Sequence, residues 1–317
     1  LVDPPVCERL MAEVLEAADG EAQQAKALIA RAQLRLWEGD MLQCAVDAMT
    51  GIEIADRIGS DWLANRGRVY LGKVVMLVDP YEGLRLHRQA AEVARTQGDL
   101  TAEALAVLGL GSCLAGILTD IVKGQALMDE GMALARKLGN PLVVSWGASQ
   151  LAISAAFRAE FKEAEARANE AEGLLSMVGR TLGVGGLRLS QGTVIGGVIA
   201  FTRAYSRTCR DTDDAYLDAL PAIAAEATEA GYFVTQSLLE ISYAIKQTND
   251  GNLDAAEAAF ARCRAINERA GTEASGVAAA ACADHLGRAC QKIADIEAHC
   301  RRRGHPKRRE CRKSPAD

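Results

Sequence analysis

The fold is decided by the stretch 159–164, which reads Ala159-Glu160-Phe161-Lys162-Glu163-Ala164. It combines a short turn, a large residue and a regularly placed alanine. The large residue recurs every 40 residues and the frame returns once more later in the chain, so that its positions are Met41, Tyr81, Ile121, Phe161 and Leu253. A fixed period of this length is typical of stacked helix pairs. The sequence therefore predicts an all-α fold, an α-solenoid of stacked antiparallel helix pairs with a period of about 40 residues.

Small residues flank each large one at constant distances. We expect them where two helices cross, because a bulky side chain there would push the helix axes apart. We expect the large residue at the start of the second helix to fill the adjoining hole. The small residues are Ala32, Gly72, Ser112 and Ala152 on the first helices, Gly51, Ala91, Gly131 and Ala171 on the second, and Ala244 and Cys263 around Leu253.

Two breakers divide each unit into helix A and helix B. A glycine closes the unit, because glycine takes the left-handed conformation that ends many helices. An acid or amide in the middle turn is placed to cap helix B. The closing glycines are Gly20, Gly59, Gly98, Gly139, Gly179, Gly231 and Gly271, and the middle turns are Gly39-Asp40, Asp79-Pro80, Thr119-Asp120, Ala159-Glu160 and Gly251-Asn252. The 52 residues from Gly179 to Gly231 depart from the frame and predict a longer loop. We predict two regions, a repeat domain at 1–298 and a basic, disordered tail at 299–317.

The turn, the following large residue and the spaced alanines resemble the tetratricopeptide repeat. Unit four carries Phe161, Ala164, Ala168 and Ala171, and unit six carries the turn Gly251-Asn252 with Phe260 and Cys263. The period is longer than the usual 34 or so residues of that repeat. A long-period variant is similar to the helical region of MalT-type and LuxR-type large ATP-binding bacterial transcriptional regulators. The resemblance covers residues 20–298.

This resemblance implies a right-handed solenoid and a non-catalytic function. The chain would be the sensor or oligomerisation region, a fragment of a larger cytoplasmic regulator of signal transduction. It would bind a protein or a small-molecule effector on the concave face, or associate with itself. In such stacks the A helices line that face, so the candidate binding residues are their exposed side chains: Arg31, Arg35, Arg66, Arg68, Tyr70, Gln150 and Gln191.

The charge distribution limits the partners. The net charge is −6, but residues 301–317 carry +6, which leaves −12 on the rest of the chain. An acidic body argues against a broad nucleic-acid surface. The basic tail is either a solvated terminus or an arm that binds polyanions, so a DNA-binding regulator that acts through its tail is an alternative function. No apolar run is long enough for a membrane span, and we predict no membrane partner.

The cysteines indicate the redox state of the compartment, and the first residue bears on whether the chain is a fragment. The nine cysteines form no CxxC pair, which favours a reducing cytoplasm. The chain begins at Leu1 rather than Met, which indicates a fragment or an alternative start codon.

Motifs for chemistry are incomplete. The stretch 67–74 approaches the phosphate-binding P-loop, but it ends in Val74 instead of Ser or Thr and falls inside a predicted helix. Cys282 and His285 match no standard zinc finger. The sequence therefore predicts no catalytic residue, cofactor or metal, and an enzyme of unknown chemistry is the remaining alternative.

Overall fold

The computed structural model describes residues 4–77, 79–117, 120–181, 194–210, 220, 233–250 and 252–273. Within these ranges the chain forms twelve α-helices and no strand, which confirms the predicted all-α class. Gln191, Gly231, the pair Cys282 and His285, and the basic tail 299–317 lie outside the described residues.

The helices follow one another with short connections through the first nine. They are α1 Pro4–Glu16, α2 Glu21–Glu38, α3 Met41–Arg57, α4 Asp61–Val75, α5 Pro80–Gln97, α6 Leu100–Ser112, α7 Ile121–Leu138, α8 Pro141–Phe157, α9 Phe161–Thr181, α10 Val194–Cys209, α11 Phe233–Asp250 and α12 Leu253–Glu273. A π-helical turn, Cys113–Ile117, extends α6.

The large residues of the repeat mark helix starts, as predicted. Helices α3, α7, α9 and α12 begin at them, and α5 begins one residue before Tyr81. The acids of the middle turns cap these helices: the carboxylates of Asp40, Asp79 and Asp120 each accept a hydrogen bond from a backbone N–H in the first turn that follows. Such caps satisfy N–H groups that the helix leaves without partners.

The closing glycines act as predicted in the middle of the chain. Gly59, Gly98 and Gly139 have φ values of +68°, +69° and +70°, the left-handed conformation in which a Cβ would be strained. The prediction is wrong at Gly179 and Gly271, because α9 and α12 continue past them.

The small residues of the repeat are buried, also as predicted. A Cβ added to Gly51 would come within 2.8 Å of Ile29 Cγ1, and one added to Gly131 within 2.8 Å of Leu108 Cγ. The helices therefore pack at a distance that only glycine allows there. The expectation that the large residues fill holes is wrong for Tyr81 and Leu253, which are 75% and 39% exposed. Both lie in the first turn of their helices.

Alternate helices form what we call the inner ring, made of α2, α4, α6, α8 and α10. Each packs against the next in this order, and α10 also packs against α2, so that the set closes on itself. Each helix from α2 to α9 also packs against its neighbour in the chain. One hydrophobic core, which extends from Ala25 of α2 to Ile199 of α10, holds the ring together.

The last helices carry smaller clusters of their own. Leu239 of α11 packs with Ala204 of α10 and Leu220, and Phe260 and Cys263 of α12 pack against Ala244. Among the described residues, no helix combines the length and the apolar character needed to cross a membrane.

Candidate functional site

Side chains from three helices of the inner ring meet at Trp146 of α8. The ring of Trp37, near the end of α2, lies edge-on to it with centroids 5.5 Å apart and planes at 72°. The Lys73 Nζ of α4 lies 4.8 Å from the centre of the same ring. An ammonium over an indole face is attracted by the negative charge of that face. Residues distant in sequence therefore meet at this point of the inner ring.

These three side chains are buried, and each carries a polar N–H group. Trp37, Lys73 and Trp146 are 3%, 4% and 5% exposed. Neither indole Nε1 nor the Lys73 Nζ has a hydrogen-bond partner among the residues that the structure describes. All three are donors only, and a buried donor without an acceptor costs about 1–3 kcal/mol. The cluster, which we call the donor cluster, therefore offers N–H groups to an acceptor.

The charge of Lys73 responds to this environment. Burial lowers the pKa of Lys73 from 10.5 to about 7, and the neighbouring Cys113 raises it only in part. Burial raises the pKa of the Cys113 thiol to about 11, with Lys73 acting in the opposite direction. Cys113 opens the π-helical turn after α6, and such turns are frequent at functional sites. Near neutral pH, Lys73 can therefore gain or lose its proton.

His87 of α5 lies next to this cluster. The residue has no exposed surface, and its ring sits between the backbones of Gly72 and Gly109. Neither ring nitrogen has a hydrogen-bond partner in the described part of the chain. Burial, with a contribution from Lys73, holds the pKa of His87 well below its usual range. His87 is therefore neutral, and Lys73 is the group of the pair that can carry charge.

Two of the predicted residues lie on the same helix faces as members of the donor cluster. Tyr70 precedes Lys73 by three residues on α4, and Gln150 follows Trp146 by four on α8. Residues at these spacings lie on the same side of a helix. We expected Tyr70 and Gln150 to be exposed, but both are buried, at 4% and 8% exposure. Burial also raises the pKa of Tyr70.

The four candidate arginines are half-buried, and each is paired with an acid. Arg31 and Arg66 each hold a carboxylate with two nitrogens, and Arg66 also lies over the Trp62 ring at 4.3 Å. All four pairs join different helices, because the acid belongs to, or caps, another helix. The pairs are Arg31–Asp47, Arg35–Asp40, Arg66–Asp99 and Arg68–Asp56. These guanidinium groups are therefore already engaged within the fold.

The Arg31–Asp47 pair gives a stability prediction. Asp47 is 1% exposed, and Arg31 contacts it at 2.6 and 2.7 Å. Arg31→Met leaves a buried carboxylate without this partner, and we expect it to lower the free energy of unfolding by about 1–3 kcal/mol. Urea unfolding measures the change. Adding Asp47→Asn to Arg31→Met should restore part of the loss.

A matched control is Arg57→Met, because Arg57 pairs with Glu21 at the surface, where both side chains are about half exposed. We expect this change to cost less than about 1 kcal/mol. Equal losses for Arg31→Met and Arg57→Met would contradict the structural role of the Arg31 pair.

The sequence reasoning missed Trp37, Lys73 and Trp146. Lys73 was considered only as part of the P-loop-like stretch, which the structure places within α4. The signal that could have found it is its spacing of three residues from Tyr70. In the described ranges, no group of three or more His, Cys, Asp or Glu residues is arranged to hold a metal.

No protein-family model matches the chain, and no curated protein matches it.

Proposed function

We propose that this chain is a non-catalytic binding scaffold, a right-handed tetratricopeptide-like α-solenoid that takes up an effector inside its inner ring. The observation that carries the proposal is the donor cluster, in which side chains of α2, α4 and α8 meet as buried donors without acceptors. A purely structural core would be expected to use apolar side chains at such positions, because they carry no desolvation cost.

The repeat pattern supports the solenoid part of the proposal. Helix starts at Met41, Ile121 and Phe161 keep the 40-residue register, and alternate helices contact one another in order. In the regulators that this chain resembles, such a region would serve as the sensor. We therefore propose that ligand binding in the ring changes how this region acts on the rest of a transcriptional regulator or on a protein partner.

A ligand-dependent thermal shift tests the proposal. The full chain is heated with a panel of neutral sugars, nucleosides, amino acids and carboxylates. A ligand at a hundred times its Kd stabilises the folded state by about 2.7 kcal/mol, and we expect a rise in Tm of about 4 °C for a chain of this size. Binding partners are sought in parallel by pull-down with the immobilised chain.

Two tryptophan variants form a matched pair for this experiment. Trp37→Phe removes an N–H of the donor cluster, whereas Trp62→Phe changes a residue on α4 that is 40% exposed. We expect the ligand-dependent shift to shrink in Trp37→Phe and to persist in Trp62→Phe. If no compound shifts the Tm and no partner is retained, the proposed function is wrong.

A further inference from the structure

We propose that the donor cluster binds a singly charged carboxylate, held by the Lys73 ammonium and an indole N–H of Trp37 or Trp146. This inference rests on the proposed function, because it names the class of ligand for the same site. It follows from the kind of groups present, their burial and the charge that they supply.

The donor cluster selects for an acceptor. An ammonium offers three N–H donors and each indole offers one, and none of these groups accepts a hydrogen bond. A carboxylate has two oxygens that accept only, so it complements such a set. A hydroxyl-rich neutral ligand would bring its own donors, which would face the donors of the protein. The two indole rings also provide apolar surface for the remainder of a small organic acid.

The count of charges favours one negative charge. Lys73 brings a single positive charge into a buried site. Two arginines on the neighbouring helix α2 already have acids as partners, Arg31 with Asp47 and Arg35 with Asp40. A monocarboxylate leaves the site neutral. A doubly charged phosphate would leave an uncompensated charge, which is costly in a buried environment.

Binding should be coupled to proton uptake. The titratable groups that act on Lys73 are Cys113 in the π-helical turn and His87 on α5, both neutral around pH 7 because burial raises the pKa of the thiol and lowers that of the imidazole. On α8, the group that faces Lys73 is the indole of Trp146. A bound carboxylate raises the pKa of Lys73 above its value of about 7 in the free protein. Above that pH, one proton from solvent moves onto Nζ for each carboxylate bound.

Calorimetric titration of the full chain tests the inference. The probes are acetate and benzoate, their neutral amides acetamide and benzamide, and inorganic phosphate. We expect the carboxylates to bind about tenfold more tightly than the amides, since hydrogen bonds to charged groups are worth more than neutral ones. The Kd for the carboxylates should rise by up to about tenfold for each pH unit above the pKa of Lys73. Titrations at pH 8 in buffers of different ionisation enthalpy should show uptake of up to one proton.

The variant Lys73→Met should lose carboxylate binding by about tenfold or more. Its matched control is Lys123→Met, which removes an exposed lysine of α7. Unfolding curves show that each variant is folded. A second variant, Trp146→Phe, removes an indole N–H and should weaken binding without abolishing proton uptake.

The outcomes separate the two proposals. Equal affinity for carboxylates and amides, tighter binding of phosphate, or unchanged binding in Lys73→Met would each overturn the carboxylate assignment. If neither carboxylate binds but a neutral compound of the wider panel does, the assignment is wrong and the proposed function stands. If nothing in either experiment binds, both are wrong.

Discussion

Replacing Lys73 with methionine is expected to raise the free energy of unfolding near pH 7 by about 1–3 kcal/mol. Lys73 is buried without a hydrogen-bond partner among the described residues, and burial lowers its pKa to about 7. The folded state therefore carries a desolvation cost that a methionine of similar shape avoids. Loss of the contact between Nζ and the Trp146 ring offsets part of the gain.

The gain should depend on pH in a defined direction. Between the folded pKa of about 7 and the unfolded value of 10.5, the unfolded state binds more protons at Lys73 than the folded state does. The contribution of Lys73 to the free energy of unfolding therefore increases with pH in this window, by at most about 1.4 kcal/mol per unit. The advantage of Lys73→Met over the unchanged protein should be largest below pH 7 and shrink as the pH rises.

Urea unfolding of both proteins from about pH 6 to about pH 9 measures this difference, and other titrating groups cancel in it. The exposed substitution Lys123→Met serves as control and should change stability by less than about 0.5 kcal/mol at every pH. A difference between Lys73→Met and the unchanged protein that stays constant over this range would contradict the lowered pKa of Lys73.

The second large effect is expected at Gly124, where α7 crosses the end of α6. A Cβ on Gly124 would lie 2.6 Å from the backbone N of Ala115 and 2.7 Å from the backbone O of Gly111. Backbone atoms cannot rotate away as a side chain can, so the two helices must separate. We expect Gly124→Ala to lower the free energy of unfolding by about 1–3 kcal/mol, measured by urea unfolding and by Tm.

Gly173→Ala is the matched control within a helix. Gly173 is exposed on α9, and a Cβ there would meet nothing within 4 Å. Alanine is a better helix former than glycine, so this change should stabilise the protein by up to about 1 kcal/mol. The opposite signs of the two substitutions are the test. A Gly124→Ala protein as stable as Gly173→Ala would show that α6 and α7 do not approach so closely.

Local features of the chain were predictable because local interactions determine them. Asp40, Asp79 and Asp120 cap helices through hydrogen bonds to residues two or three positions further on. Gly59, Gly98 and Gly139 end helices by their own backbone conformation. The prediction was wrong at Gly179 and Gly271, because a glycine inside a helix lacks any local signal that distinguishes it from one at the end.

The candidate site was predicted less well, for a different reason. Tyr70 and Gln150 were placed on the correct helices, but the burial of their side chains depends on which other helices pack against them. The arginines were predicted as exposed side chains, yet Arg66 is half-buried and paired with Asp99, which is 33 residues away. Pattern and spacing identify the face of a helix, whereas the partner on the opposite helix depends on how the helices are arranged.

By itself, the sequence determined the all-α class, the helix starts at Met41, Ile121 and Phe161, and the burial of the small residues, because each depends on hydrogen bonds and spacing within a few turns. The tertiary structure alone decided that Trp37 meets Trp146, more than 100 residues further on, with Lys73 beside them. That contact joins α2 to α8, and five helices lie between them in the chain, so it depends on how all of these helices pack and not on spacing within any one of them. The donor cluster, and with it the proposed ligand site, is therefore visible only in the folded chain.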